Sequence, residues 1–319
     1  MSFSKDVKNE LARVPMHDME IVEAELAAYI RTCGVISLTK DLNIGLSFVT
    51  ENAPVARRIV SVLKRVTDSG VEVMQSKNLQ LKRNKHYKIR VEDLGSVQAL
   101  LMDSDFLRQD NVFQMNYTLD AKFLRSADAI RAYIRGCFLG AGSITAPTKR
   151  YHLEFITHDR THGADLCKWL NRVQLGAKGI YRKDDYIVYI KEAEKISDLL
   201  AFMGASRSVL EFESARVVKD VRNSVNRLVN CETANLTKTV DASARQVEDI
   251  ELIERIYGMD RLKEDVRRVA ELRLSHPQAS LKELGAMMQP AMSRSGVNHR
   301  FKKIRALAEK LRGVSSERV

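Results

Sequence analysis

The first two hundred residues contain an internal repeat, and that duplication constrains the fold more than any single motif does. One copy carries Leu46-Ser47-Phe48-Val49-Thr50 and the other Leu153-Glu154-Phe155-Ile156-Thr157, an apolar–polar alternation that predicts a half-buried strand. A helix-like stretch follows each (residues 56–66 and 163–173), then strands and another helix. The basic hairpin Lys82-Arg83-Asn84-Lys85-His86-Tyr87-Lys88-Ile89-Arg90 belongs to the first copy. Its counterpart is residues 181–191, with Lys183-Asp184-Asp185 at the turn. Each strand pair is preceded by a helix ending in glycine, Leu26-Ala27-Ala28-Tyr29-Ile30-Arg31-Thr32-Cys33-Gly34 and Ile134-Arg135-Gly136-Cys137-Phe138-Leu139-Gly140-Ala141-Gly142. Both copies therefore read α-β-β-α-β-β-α, two α+β halves around a pseudo-two-fold axis. Trp169, the only tryptophan, falls within a helix of the second copy and is expected to pack in its core.

In the two glycine-ended helices, Ala28 and Thr32, matched by Gly136 and Gly140, are small residues four apart on one face. Small residues there let two helix backbones pack closely. A core helix with a glycine C-cap is the plainer reading, but the duplicated context favours a paired seam. With that pairing, the helices resemble the motif helices of LAGLIDADG homing endonucleases. The resemblance implies that an acid just before the last glycine of each motif holds the catalytic metal, since metal-assisted phosphodiester cleavage uses hard oxygen ligands. The matching positions are Cys33 and Ala141, and the motif's other acidic position falls on Arg31 and Leu139. A methyl offers no ligand and a thiol is a poor one for Mg²⁺. A scaffold that does not cleave, with no metal, no cofactor and no catalytic residue, is therefore expected. It would bind DNA through Lys82, Arg83, Lys85, Lys88 and Arg90, or serve as a platform for a protein partner; the residues leave both open.

The C-terminal part has a different pattern. Ser280-Leu281-Lys282-Glu283 has the spacing of a capping box, and Leu281, Leu284 and Met288 follow at helical intervals. Gln289-Pro290 ends that helix, because proline disfavours helical geometry in the residue before it. Ser293 can cap a second helix whose Val297, Phe301, Ile304 and Ala308 line one side. The other side presents Arg294, Ser295, Asn298, His299, Lys302, Lys303 and Arg305. Residues 280–311 thus read as a helix-turn-helix, with residues 249–257 and 261–274 as supporting helices. Asparagine and arginine can pair bidentately with adenine and guanine edges at the N-terminal end of such a second helix. Between Met292 and Arg312, seven basic residues stand against one acid, Glu309, a balance that favours phosphate backbones through counterion release.

The whole-chain charge of +11 agrees with a polyanionic partner, and double-stranded DNA is the expected one. No apolar run approaches the ~18 residues of a membrane span. The N-terminus lacks a secretory signal, and the four cysteines are scattered without a CxxC pair. A cytoplasmic, nucleoid-associated protein is expected.

Over nearly its whole length the chain resembles the WhiA family, which joins a degenerate LAGLIDADG domain to a C-terminal helix-turn-helix. The resemblance begins at Ser2-Phe3-Ser4-Lys5-Asp6-Val7-Lys8-Asn9-Glu10-Leu11. It is strongest at Arg222-Asn223-Ser224-Val225-Asn226-Arg227-Leu228-Val229-Asn230-Cys231-Glu232-Thr233-Ala234-Asn235, and it returns at Leu281-Lys282-Glu283-Leu284-Gly285 and Ser295-Gly296-Val297-Asn298-His299-Arg300. It implies an α+β fold: a duplicated LAGLIDADG-like pseudo-dimer (αββαββα), then an all-α helix-turn-helix domain. The expected division is repeat 1 at residues 1–110, repeat 2 at 111–220, a linker helix and hinge at 221–244, and the DNA-binding domain at 245–319. The resemblance also implies a transcription regulator tied to cell division and chromosome segregation, and to sporulation in some bacteria. The Asn-rich run itself predicts a helix whose Arg and Asn either contact DNA or, as the preferred reading, form a hydrogen-bonded latch between domains. Residues 235–243, rich in Thr, Asn, Ser and Asp, predict a flexible hinge.

Three function classes remain: a sequence-specific regulator, an adaptor or nucleoid-associated protein with non-specific DNA affinity, and, least favoured, an active endonuclease. The duplication removes the need for a dimer, so a monomer is expected.

Overall fold

A computed structural model of the chain describes residues 2–38, 44–77, 85–108 and 111–316. The chain divides into two compact units, Met1–Lys219 and Asp220–Val319. No helix among the described residues is long and apolar enough to cross a membrane.

The first unit opens with α1 (Phe3–Leu11), which buries Phe3, Val7 and Leu11. The first repeat follows as α2 (Met19–Thr32), β1 (Gly34–Leu38), β2 (Ile44–Thr50), α3 (Ala53–Val66), β3 (Val71–Lys77), β4 (Lys85–Val91) and α4 (Leu94–Asp103). A small ladder, β5 (Leu107–Arg108) and β6 (Asn111–Met115), leads to the second repeat. That repeat runs α5 (Ala127–Ala141), β7 (Gly142–Ile144), β8 (Leu153–Thr157), α6 (Arg160–Arg172), β9 (Lys178–Arg182), β10 (Asp185–Ile190) and α7 (Ala193–Met203). The two antiparallel sheets have equivalent orders, β1-β2-β4-β3 and β7-β8-β10-β9. In each, the anticipated alternating strand lies second, and its phenylalanine pairs with a buried residue of the fourth strand of the repeat, Phe48 with Ile89 and Phe155 with Val188. Trp169 is buried, as anticipated.

Two helices start earlier than the hydrophobic periodicity places them. Asn52 accepts a hydrogen bond from Val55 N and Pro54 lies in the first turn, so α3 begins at Ala53. Asp159 does the same for His162 N, so α6 begins at Arg160.

The seam between the repeats is α2 against α5. A Cβ at Gly136 would lie 2.7 Å from Ala28 Cβ and 3.2 Å from Glu25 O, and one at Gly140 only 2.1 Å from Thr32 Oγ1. The small residues therefore face one another, as their spacing requires. Beside them the seam is ionic. Glu25, fully buried, accepts from Arg58 Nε (2.7 Å) and Nη2 (2.6 Å) and from Arg135 Nε (2.8 Å). Arg31 donates to five backbone carbonyls, of Ala27, Ser104, Asp105, Asn116 and Thr118, and so ties α2 to the connector between the repeats.

His162 is buried, with Nε2 3.1 Å from Tyr133 Oη and Nδ1 without a partner among the described residues. Burial lowers its pKa from 6.5 to about 3. Between those values the unfolded chain binds one proton more here than the folded one. Stability from this site is thus complete above pH 6.5 and declines as the pH falls, by about 1.4 kcal/mol per pH unit. His162→Gln, which keeps an acceptor for Tyr133, should flatten the fall in urea midpoint from pH 6.5 to about pH 5, above the range where most carboxylates titrate. Parallel curves for the two proteins would contradict this assignment.

Helix α8 (Ser206–Ile256) begins in the first unit, where Phe212 packs against Phe3 and Tyr151, and continues in the second. Its 51 residues correct one expectation. Residues 235–243 are helical rather than a hinge, and Thr237 and Thr239 hydroxyls bond back to the carbonyls of Thr233 and Asn235, so these polar side chains are satisfied inside the helix. Asn223, Asn226, Asn230 and Asn235 are all exposed on this helix.

The remainder of the second unit is α9 (Glu264–Ser275), α10 (Leu281–Met287) and α11 (Arg294–Ser316). Its core joins Ile250 and Ile253 of α8 to Val266, Val269 and Ala270 of α9, Leu284 of α10, and Val297, Phe301, Ile304 and Ala308 of α11. The supporting helices foreseen at 249–257 and 261–274 are thus the end of α8 and α9.

Candidate nucleic-acid interface

The geometry of the second unit is set by local chemistry at its turn. Ser280 Oγ accepts from Glu283 N, and Glu283 answers with a bond from Ser280 N, a complete capping box. Helix α10 ends at Met287, just ahead of Gln289-Pro290. The carbonyl and the missing side chain of Gly285 matter at the return: Met292 N donates to Gly285 O, and a Cβ at Gly285 would lie 2.2 Å from Met292 O. Glycine is needed there for the turn to close on α10. Ser293 Oγ then accepts from Gly296 N and opens α11.

With Val297, Phe301, Ile304 and Ala308 buried, the rest of α11 is turned outward. Arg294, Ser295, Asn298, His299, Lys302, Lys303 and Arg305 are all exposed. They divide into two groups. Asn298, Lys302 and Arg305 line a groove of roughly 680 Å³ whose other wall is the last turns of α8, with Ala242, Arg245 and Gln246. Arg294, Ser295, His299 and Lys303 are not among the residues lining it. Arg245 and Gln246 were not foreseen as neighbours of this face. They lie fifty residues away in sequence, roughly, and only the packing of α8 on α11 brings them there.

Not every basic residue of the cluster is available. Arg300 Nε bonds Asp265 of α9 at 3.1 Å, and Arg312 reaches Asp249 of α8 at 2.7 Å. Both hold the fold. Arg305 makes a bond to Glu309 at 2.9 Å, but the pair is solvent-exposed and contributes little to stability.

The secondary positions lie in the first unit. Lys82 and Arg83 fall outside the described residues, and Lys85 begins β4. Lys88 and Arg90 are exposed on the sheet face opposite Phe48 and Ile89, where Lys88 sits between Val49 and Met74.

At the ends of α2 and α5, the donor set does not fit a divalent metal. Cys33 carries a thiol that burial pushes up to about 12, and Ala141 carries a methyl. Lys8 of α1 brings a cation of its own. Its ammonium donates to Leu139 O at 3.1 Å and lies 5.9 Å from the Phe138 ring centroid, and burial lowers its pKa to about 8. A hard cation would meet a protonated thiol and an ammonium where it needs carboxylates.

Comparison with known proteins agrees with this division. Residues 20–107 match the profile described as the WhiA N-terminal LAGLIDADG-like domain, residues 130–222 the WhiA LAGLIDADG-like domain, and residues 225–308 the WhiA C-terminal HTH domain. The chain is 46% identical over 313 residues to a probable cell division protein WhiA from Thermoanaerobacter pseudethanolicus, covering 98% of each. A protein of the same name from Clostridium perfringens (strain SM101) is also 46% identical, over 98% of this chain and 99% of that one. The crystal structure of full-length DUF199/WhiA from Thermatoga maritima superposes with a TM-score of 0.57 at 27% identity, covering 97% of this chain and 99% of that one. A duplicated LAGLIDADG-like unit with its motif seam intact, followed by a helix-turn-helix unit, on a chain that matches such relatives from end to end, belongs to the WhiA family.

Proposed function

We propose that the chain is a DNA-binding transcriptional regulator of the WhiA type, acting in cell division and chromosome segregation. It reads duplex DNA through α11 and carries a LAGLIDADG-like scaffold that does not cleave. One observation carries this reading: α11 is fixed by four buried residues, while its N-terminal half projects Arg294, Asn298 and Lys302 outward with no structural duty. The names of its relatives support the cell-division part of this setting. A cytoplasmic, nucleoid-associated monomer is the corresponding state of the protein.

The test is selection of a preferred site from a random duplex library, then binding by fluorescence anisotropy. Asn298→Ala should lose about 1–3 kcal/mol on the selected site and little on a scrambled one, so that its preference collapses. Lys303→Ala should weaken both duplexes alike and lower the slope of log K against log salt by about 0.9. Equal losses on both duplexes for both variants would reject base reading by α11 and leave the non-specific alternative.

For the first unit, the sheet surfaces favour a protein partner. Among the described residues, Val35, Val49 and Met74 are exposed on one sheet beside Lys88 and Arg90, and Ile156 and Ile180 on the other, where Lys178 and Arg182 flank Ile180. An apolar strand face suits protein contact better than it suits phosphate.

A further inference from the structure

Among the described residues of the second unit, the Asn-rich run of α8 makes side-chain bonds only within its own helix. Its amides are exposed, and these bonds are local, such as Arg227 Nη2 to Ser224 Oγ. Within the second unit this helix is nevertheless ordered by register. Arg227, Lys238 and Arg245 are separated by eleven and seven residues, roughly three and two helical turns, so they share one face. Ala234 and Ala242 lie along that face between them, with short side chains that leave it open. Val225, Val229, Leu236 and Val240 fall on the other side. Asp220 and Asp241 stand at the margins of the stripe.

The stripe leads into the groove beside α11. Arg245 forms one wall and Lys302 the other. Of the three acids lining that groove, Asp249 is engaged by Arg312 and Glu309 by Arg305, while Glu248 is exposed; Arg245 and Lys302 carry no ion pair among the described residues. The matched C-terminal profile also takes in most of this run, since it starts at residue 225.

We propose that this face of α8 is a second DNA-contacting element, in which Arg245, Lys238 and Arg227 follow the phosphate backbone of the duplex whose bases α11 reads. The inference rests on α11 as the reading helix and names the element that holds the duplex beside it. The occupant is duplex DNA because the face offers cations and amide donors at helical intervals, without an apolar anchor for a protein. Its length, about 27 Å at 1.5 Å per residue, suits several consecutive phosphates. The groove between α8 and α11 is where the backbone enters.

The experiment compares the full chain with Arg227→Ala/Lys238→Ala/Arg245→Ala on a generic duplex longer than the stripe, and on the selected site with flanks. All three side chains are exposed, so far-UV circular dichroism should be unchanged. The triple variant should bind about ten- to a hundred-fold more weakly at moderate salt, with the salt slope reduced by about 2–3, and should keep its preference between sites. Unchanged affinity and slope would overturn the proposal, as would a loss of site preference in place of a uniform loss. Asn298→Ala measured alongside keeps the two readings apart, because it reports on α11 whatever the triple variant does.

Discussion

Glu25→Leu is expected to destabilise the first unit by about 3–5 kcal/mol. The carboxylate is fully buried and binds two guanidiniums at 2.6–2.8 Å, one from each repeat: Arg58 on α3 and Arg135 on α5. Removing it leaves two buried cations facing each other across the seam without their shared acceptor. Trp169 is the only tryptophan and lies in this unit, so its fluorescence reports the relevant urea transition without interference from the helix-turn-helix. Removing the cations as well, with Arg58→Leu and Arg135→Met, should recover part of the loss. Recovery stays incomplete because Arg58 also donates to Ala12 O and Arg135 to Met203 O, and those carbonyls would be orphaned. If Glu25→Leu alone shifted the midpoint by less than the equivalent of about 1 kcal/mol, the ionic seam would not be a principal support of the pseudo-dimer.

Gly136→Leu should be comparably severe, at about 3 kcal/mol or more, because even its first carbon has no room. That Cβ would stand 2.7 Å from Ala28 Cβ, 3.2 Å from Glu25 O and 3.4 Å from Glu25 Cα. None of these atoms is the end of a flexible side chain, so α2 and α5 would have to move apart and weaken every contact along the seam. Gly136→Ala should lose about 1–3 kcal/mol by the same clash. Moving the methyl across the interface, with Ala28→Gly added, should return much of that loss. The double-mutant cycle in urea then measures the coupling, and additive losses would mean that the two positions do not oppose each other.

These predictions concern residues whose meaning the sequence discloses unevenly. The small positions Ala28, Thr32, Gly136 and Gly140 are legible as a seam because helix periodicity and duplication are both local patterns. The ionic partners of Glu25 are not, since Arg58 and Arg135 lie 33 and 110 residues away. Nothing in the sequence around Arg31 announces that it gathers five carbonyls, four of them beyond Ser104 in the chain or at it. The hinge reading of residues 235–243 failed for a related reason. Serine and threonine compete with helix in short segments, yet here the Thr237 and Thr239 hydroxyls bond the preceding turn of a long helix, and Ser243 donates to Pro277 O.

The helix-turn-helix shows both regimes side by side. Its capping box, the break ahead of Pro290, the Ser293 cap and the buried stripe of α11 are interactions over three or four residues, so sequence spacing determines them outright. The seven outward residues follow by subtraction from that stripe. Which of the neighbouring cations remain free is a tertiary matter: Asp265 takes Arg300, Asp249 takes Arg312, and α8 contributes Arg245 to the groove. The sequence by itself determined the duplication, the capped helices of the helix-turn-helix and the exposed face of α11, because backbone periodicity and capping act over single helical turns. Only the tertiary structure decided which charges meet at the seam and beside α11, because electrostatic partners are chosen by proximity in space, and chain packing alone supplies it.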